Sequence, residues 1–452
     1  MKRVPSGFAC MLESARHTVR RARRRVQRVA LGTVLPRRAY IRHPDSVTTR
    51  GAEVDPASVG LDAADVEAIW DAVVQYYRIG LQPALSLCIR RHGEVVLDRA
   101  IGFAQGAGPD DAPDAERVQA TPDTLFNLFS GSKAVTATLV HALADDGIID
   151  LDAPVARYLP GFGKHGKDRI LVRHVLCHQA GLPETPADAI DLDLLDDHDR
   201  LVRILGDQVP LTAPGEEVAY HAVTGGFLLG AIMREATGEC PRALLRRRLL
   251  DPLGIDSLSF GVDPSDLPNV ASEAFTGPLA RAPFSTWMKR SLGIPFEDAI
   301  AIANDPRFLT GVVPSGNVIG TANDASKFFE MLLRGGTLDG TRVLSQGALA
   351  RALAPQNDGR QQDRIIKLPI RYGLGYMLGD EMVSFYGPGT PAAFGHLGFT
   401  NVLAWADPER DISVALMNNG KPFITPELVA WMRIMWTIAA RIPRRRGLLV
   451  AA

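Results

Sequence analysis

Thr124-Leu125-Phe126-Asn127-Leu128-Phe129-Ser130-Gly131-Ser132-Lys133-Ala134-Val135-Thr136 is the stretch on which the reading of this chain turns. A hydrophobic run ends at small residues, and a long helical pattern follows. If a helix opens near Ser130, then Ser130 and Lys133 lie three apart and share a face, while Ser132 points elsewhere. A serine beside a lysine amine can act as a nucleophile if the amine takes or relays its proton. The helix N-terminus adds unpaired N–H groups and positive potential beside the hydroxyl. A four-residue pattern also arises by chance, so its weight depends on partners elsewhere in the chain.

Composition bounds those partners. The chain has 452 residues, 46% hydrophobic and 22% charged, with a formal net charge of -1. This is ordinary globular composition without the basic signature of a nucleic-acid binder. Cys10, Cys88, Cys177 and Cys240 are far apart and form no C-x-x-C pair, which suggests neither a disulfide framework nor a zinc site. They read as thiols of a reducing, cytoplasmic compartment. No apolar run reaches transmembrane length. Arg16, Arg20, Arg21, Arg23, Arg24, Arg25 and Arg28 alternate with Val19, Ala22, Val26 and Val29. No apolar core follows them, so the segment does not read as a secretory signal. Two readings stand, a solvated tail and a basic amphipathic helix in peripheral contact with an anionic membrane. Oligomeric state is not legible.

Working outward, residues 1–55 read as a basic tail, 56–445 as one domain and 446–452 as a C-terminal tail. Leu61 to Tyr77 has helical spacing, and Pro83 to Ile89 with Val95 to Phe103 reads as a β-hairpin. The Ser130 helix runs to Asp146, where Gly147 stops it. Residues of about 140–325 are mainly helical, with Thr224 to Thr237 and Ala322 to Arg334 the clearest helices. Beyond Ile365 the period changes. Tyr372 to Leu378, Val383 to Tyr386 and Ala393 to Phe394 read as short strands, Asn401 to Ala406 and Ile412 to Met417 as a second hairpin, and Pro426 to Ala440 as a last helix. The expected fold is α+β: an antiparallel sheet built from both ends of the chain, flanked by helices, with a helical region inserted.

Two further residues attract chemistry. Tyr220 follows Pro214-Gly215-Glu216-Glu217-Val218-Ala219, a turn-rich loop, and precedes the helix from Thr224. As phenolate it would serve as a general base, provided a cation such as Lys133 lowers its pKa. Gly395-His396-Leu397-Gly398-Phe399-Thr400 interrupts a strand-like run, where glycines mark close approach. His396 could bond a substrate, and an N–H after Gly398 could pair with that of Ser130 to hold an oxyanion.

Ser130–Lys133, Tyr220–Ala222 and His396–Gly398 occur in the order of the S-x-x-K, Y-x-N and K-T-G (or H-x-G) motifs. The chain therefore resembles the serine β-lactamase-like superfamily, within it the class C β-lactamase and family VIII carboxylesterase branch, including penicillin-binding proteins. Leu151-Asp152-Ala153-Pro154-Val155, His178-Gln179-Ala180-Gly181-Leu182-Pro183 and Asp251-Pro252-Leu253-Gly254 add to the likeness, which spans about Leu61 to Ala440. The resemblance implies Ser130 as acylated nucleophile and Lys133 with Tyr220 as proton-transfer pair. It implies the N–H groups of Ser130 and Phe399 as oxyanion hole, beside His396 and Gly398, with no metal or organic cofactor.

Two departures shape the expected substrate. Ala222 stands where the motif has asparagine, and His396 where it has lysine. A neutral imidazole offers a substrate carboxylate no fixed charge. Losing such a charge-assisted contact costs about 1.5–3 kcal/mol. The expectation is a serine hydrolase acting on small-molecule carboxylic esters through an acyl-enzyme. A β-lactamase or D-alanyl-D-alanine peptidase, a transacylase, and a non-catalytic membrane-associated binding protein are the alternatives.

Other signals read as scaffold. His174 and His178 are four apart but lack the glutamate of H-E-x-x-H, so they read as packed or capping side chains. Asp188, Asp191, Asp193, Asp196, Asp197 and Asp199 read as a solvated lid or helix face. Phe284, Trp287, Met288 and Phe308 serve equally as core or as acyl-pocket lining.

Overall fold

Alternation of side chains builds the sheet first. In Ile412–Asn418, Ile412, Val414 and Leu416 face one way, and Ser413, Ala415 and Met417 the other. The computed structural model describes residues 37–445 apart from 187, 188, 190, 196, 280, 281, 283, 383 and 424–426. Nine strands form one antiparallel sheet: β1 (Thr48–Arg50), β2 (Ala84–Arg91), β3 (Glu94–Gln105), β4 (Val118–Gln119), β5 (Arg371–Tyr372), β6 (Met377–Leu378), β7 (Phe394–Leu397), β8 (Leu403–Asp407) and β9 (Ile412–Asn418). The order is β1-β3-β2-β9-β8-β7-β6-β5, with β4 on β3. The join between β2 and β9 brings the two ends of the domain side by side, as the α+β reading expects.

The helices used below are α1 (Ala63–Arg78), α2 (Ser132–Asp145), α3 (His198–Asp207), α4 (Thr224–Thr237), α5 (Phe284–Leu292), α6 (Phe296–Ala303), α7 (Ala322–Leu333) and α8 (Leu428–Arg441). Helices α1 and α8 cover the face bearing Val414 and Leu416, through Ile69, Val73, Trp431 and Ile434. The opposite face carries Ala404, Ala406 and Ala415, and α2 and α7 pack there. Between α2 and α7 lies the mainly helical insertion. Its short strand Val318–Gly320 pairs with Phe126–Asn127 and Ser259–Phe260. This pairing returns the chain to the start of α2.

Several boundaries differ from the sequence reading. The tail does not extend to residue 55, because β1 pairs with β3 and Val47 is only 1% exposed. A three-residue strand has too little periodicity to be seen without its partner. The arginines 16–28 and the terminal residues 446–452 lie outside the described residues. The helix expected at Ser130 begins instead at Ser132, after a 3₁₀ turn over Phe129–Gly131. Residues 384–386 form no strand; the buried Tyr386 donates its hydroxyl to the Met377 carbonyl (2.8 Å). No helix among the described residues is long and apolar enough to cross a membrane.

Candidate active site

The chain enters the 3₁₀ turn under strain. Phe129 has φ 47°, a left-handed value uncommon for a side chain of its bulk. Its N–H is held by Asn127 Oδ1 (2.8 Å), and its ring lies over Lys421 Nζ (4.8 Å to the centroid) and against Phe399 (5.5 Å). Residues held this way by their surroundings concentrate at functional sites. The turn separates the two serines. Ser132 is fully buried and accepts a hydrogen bond from the Val318 N–H (2.8 Å), whereas Ser130 faces a cavity.

Lys133 is buried in the first turn of α2. Its Nζ is 3.0 Å from Ser130 Oγ, 2.8 Å from the Ala222 carbonyl and 3.1 Å from the Ser315 carbonyl. Among the described residues no carboxylate pairs with it, and burial lowers its pKa to about 7. A neutral amine has two N–H donors and one lone pair. The two carbonyls take the donors, which leaves the lone pair for the Ser130 hydroxyl proton. Ala222 thus contributes by its backbone, although its side chain cannot replace asparagine. Gly226, on α4, permits this approach: a Cβ there would lie 2.4 Å from that of Ser315.

The Tyr220 ring lies 4.9 Å from Lys133 Nζ, and its hydroxyl interacts with Ser130. Burial raises its pKa, against the expectation of a phenolate. A lysine that is itself half-neutral supplies too little charge to offset desolvation. Burial therefore favours the neutral phenol at Tyr220 and brings the Lys133 amine close to neutrality. His178, at φ 62°, packs tilted against Tyr220 at 4.6 Å and accepts the His221 backbone N–H on Nδ1 (3.2 Å). His174 Nδ1 accepts the Leu171 N–H (3.2 Å), so the two histidines serve separate backbone groups.

From the sheet, β7 supplies the remaining expected residues. His396 is buried, and its Nδ1–H donates to the Leu397 carbonyl (2.8 Å). Burial lowers its pKa to about 3, so the imidazole is neutral. Gly398 allows close packing on the nucleophile segment: a Cβ there would lie 2.4 Å from the Leu128 carbonyl oxygen. Phe399 begins the turn that follows. Among the described residues, the Phe399 N–H donates to no backbone carbonyl outside the helices and strands, and the Ser130 N–H lies within the 3₁₀ turn.

Ser130, Tyr220, Gly398 and Phe399 line a cavity of about 340 Å³, while Lys133 and His396 sit behind its wall. The wall is mostly apolar, with Leu192 and Leu195 from the acidic stretch, Met288, Ile302, Phe308 and Ile366, and it includes the carboxylate of Asp191. Among the described residues that line it, none is Lys or Arg. Met288 and Phe308 thus line the cavity, and the side chains of Phe284 and Trp287 lie outside the described residues. Asp193 pairs with Arg307 (2.7 Å) and Asp197 caps α3 through the Arg200 N–H (3.0 Å), whereas Asp188 and Asp196 lie outside the described residues. Sequence reasoning missed Lys421, Asn127, Ser315 and Asp363, which shape the site from beneath. None stands in a motif, and Lys421, Ser315 and Asp363 meet Phe129, Lys133 and Tyr220 through contacts distant in sequence.

The chain is 33% identical over 380 residues to the esterase/β-lactamase LipL of Mycobacterium tuberculosis, covering 80% of this chain and 84% of that protein. It is 30% identical over 309 residues to esterase EstB of Burkholderia gladioli, covering 62% and 74%. A solved family VIII carboxylesterase superposes with a TM-score of 0.70 at 28% identity, covering 83% of this chain and 98% of that one. With the Beta-lactamase family model matching residues 71–435, over β2 to β9 and the residues that line the cavity, the chain belongs to the β-lactamase family.

Proposed function

We propose that this chain is a serine hydrolase that cleaves neutral carboxylic esters with an apolar acyl group, through an acyl-enzyme on Ser130. One observation carries the reading. A serine held by a carboxylate-free, near-neutral lysine opens onto a cavity without a lysine or arginine in its described wall. Lys133 takes the Ser130 proton as Oγ attacks the carbonyl carbon. The oxyanion rests on the N–H groups of Ser130 and Phe399. As the tetrahedral intermediate collapses, Tyr220 gives its proton to the departing alcohol and regains one from the Lys133 ammonium. Water then attacks the acyl-enzyme by the reverse route, and Ser130 is restored.

The apolar wall also argues against anionic β-lactams and stem peptides, whose carboxylate would enter without a counter-charge. The test sets p-nitrophenyl esters beside a chromogenic cephalosporin. Ester turnover that vanishes in Ser130→Ala, with slow or no cephalosporin hydrolysis, supports the proposal. Rapid cephalosporin turnover without ester cleavage overturns it.

A further inference from the structure

We infer that Asp363 is a positioning residue that holds Tyr220 and the apolar wall of the substrate cavity as one unit. Its side chain is 1% exposed and lies in no helix or strand. Oδ1 accepts three backbone N–H groups, those of Tyr220 (3.3 Å), Ile365 (2.7 Å) and Ile366 (2.8 Å). Oδ2 accepts the Tyr372 hydroxyl (3.2 Å). Ile365 and Ile366 line the cavity that contains Ser130. One carboxylate therefore fixes the residue that moves the proton and two residues that touch the substrate.

A second route reaches the same tyrosine. Tyr372 meets the His178 ring edge-on at 5.0 Å, and His178 lies 4.6 Å from Tyr220. The Arg364 N–H also donates to the Val218 carbonyl (2.9 Å), which ties the two loops together beside the clamp. The need for a clamp follows from the local structure. Tyr220 stands in a turn-rich loop ahead of α4, where no ladder of secondary structure fixes it. A carboxylate accepts hydrogen bonds only, which suits a point where four donors converge. An apolar residue at this position would leave those buried donors unpaired.

The inference rests on the ester-hydrolase reading, and one experiment separates the two. Wild type, Ser130→Ala, Asp363→Ala and Asp363→Asn are assayed on p-nitrophenyl acetate and octanoate, with folding followed by circular dichroism. Misplacing Tyr220 in Asp363→Ala is expected to lower kcat on both esters by about a hundredfold. Loosening the isoleucine wall raises KM about tenfold for octanoate, the worth of one to two buried methylenes, and leaves acetate KM within about twofold. Asp363→Asn keeps an oxygen for the three N–H groups and recovers kcat to within about fivefold of wild type. Should Asp363→Ala not fold, Asp363→Ser carries the same test with a shorter acceptor. A folded Ala or Ser variant with wild-type kcat and KM on both esters, changed only in melting temperature, overturns the inference. Full ester activity in Ser130→Ala overturns the underlying site instead.

Discussion

Two buried lysines lie near the nucleophile, and the molecule treats them differently. Lys133 meets two backbone carbonyls and Ser130 Oγ. Lys421 is also buried but sits under the Phe129 ring, bonded to Asn418 and 3.1 Å from Glu273. Burial depresses both amines. At Lys421 the carboxylate of Glu273 opposes that pull. At Lys133 nothing opposes it, and the pKa falls to about 7. The same side chain has a carboxylate partner at one position and only backbone carbonyls and a hydroxyl at the other.

The comparison breaks most sharply at Lys133. Lys133→Met should lower kcat/KM on esters at least about a thousandfold, as loss of a general base does. It should also raise the melting temperature, because no depressed amine then has to be buried. In wild type, the folded pKa of about 7 lies below the ordinary lysine value of 10.5. The unfolded chain therefore binds more protons between these values, and the Lys133 contribution to stability rises with pH across that window. A calorimetric pH series on wild type and Lys133→Met checks both signs.

At Lys421 the expectations reverse. Glu273→Gln removes the counter-charge and leaves the buried amine with its Asn418 bonds and no carboxylate partner, a change that can cost up to about 3–5 kcal/mol. Denaturant unfolding measures this loss. Because Lys421 makes no contact with Ser130 among the described residues, kcat/KM per folded molecule should stay within about threefold of wild type. A collapse in turnover without loss of stability would erase the distinction between the two lysines.

Much of this arrangement was legible in the chain, and the pattern of what was not is instructive. Thr224–Thr237 forms a helix as its spacing predicts, and the β8–β9 hairpin falls where alternating residues place it. Ser130, Lys133 and Tyr220 were legible because their spacing and order carry a chemical pattern. Phe129 was not, because a left-handed backbone at a non-glycine residue leaves no trace in composition. Nor was Asp363, which sits in a polar loop without periodicity and accepts the Tyr220 N–H from 143 positions away. The protonation states were misread for a related reason. Proximity of Lys133 to Tyr220 suggested a phenolate, but burial depresses the lysine and raises the tyrosine together.

The central claim is that neutral Lys133 activates Ser130, and acylation against pH tests it most directly. The rate at which a fluorophosphonate labels Ser130, or of the ester burst phase, should rise with a single ionisation near pH 7. A midpoint near the ordinary tyrosine or lysine range, about 10, would contradict the account and return the base to a phenolate or an unperturbed amine.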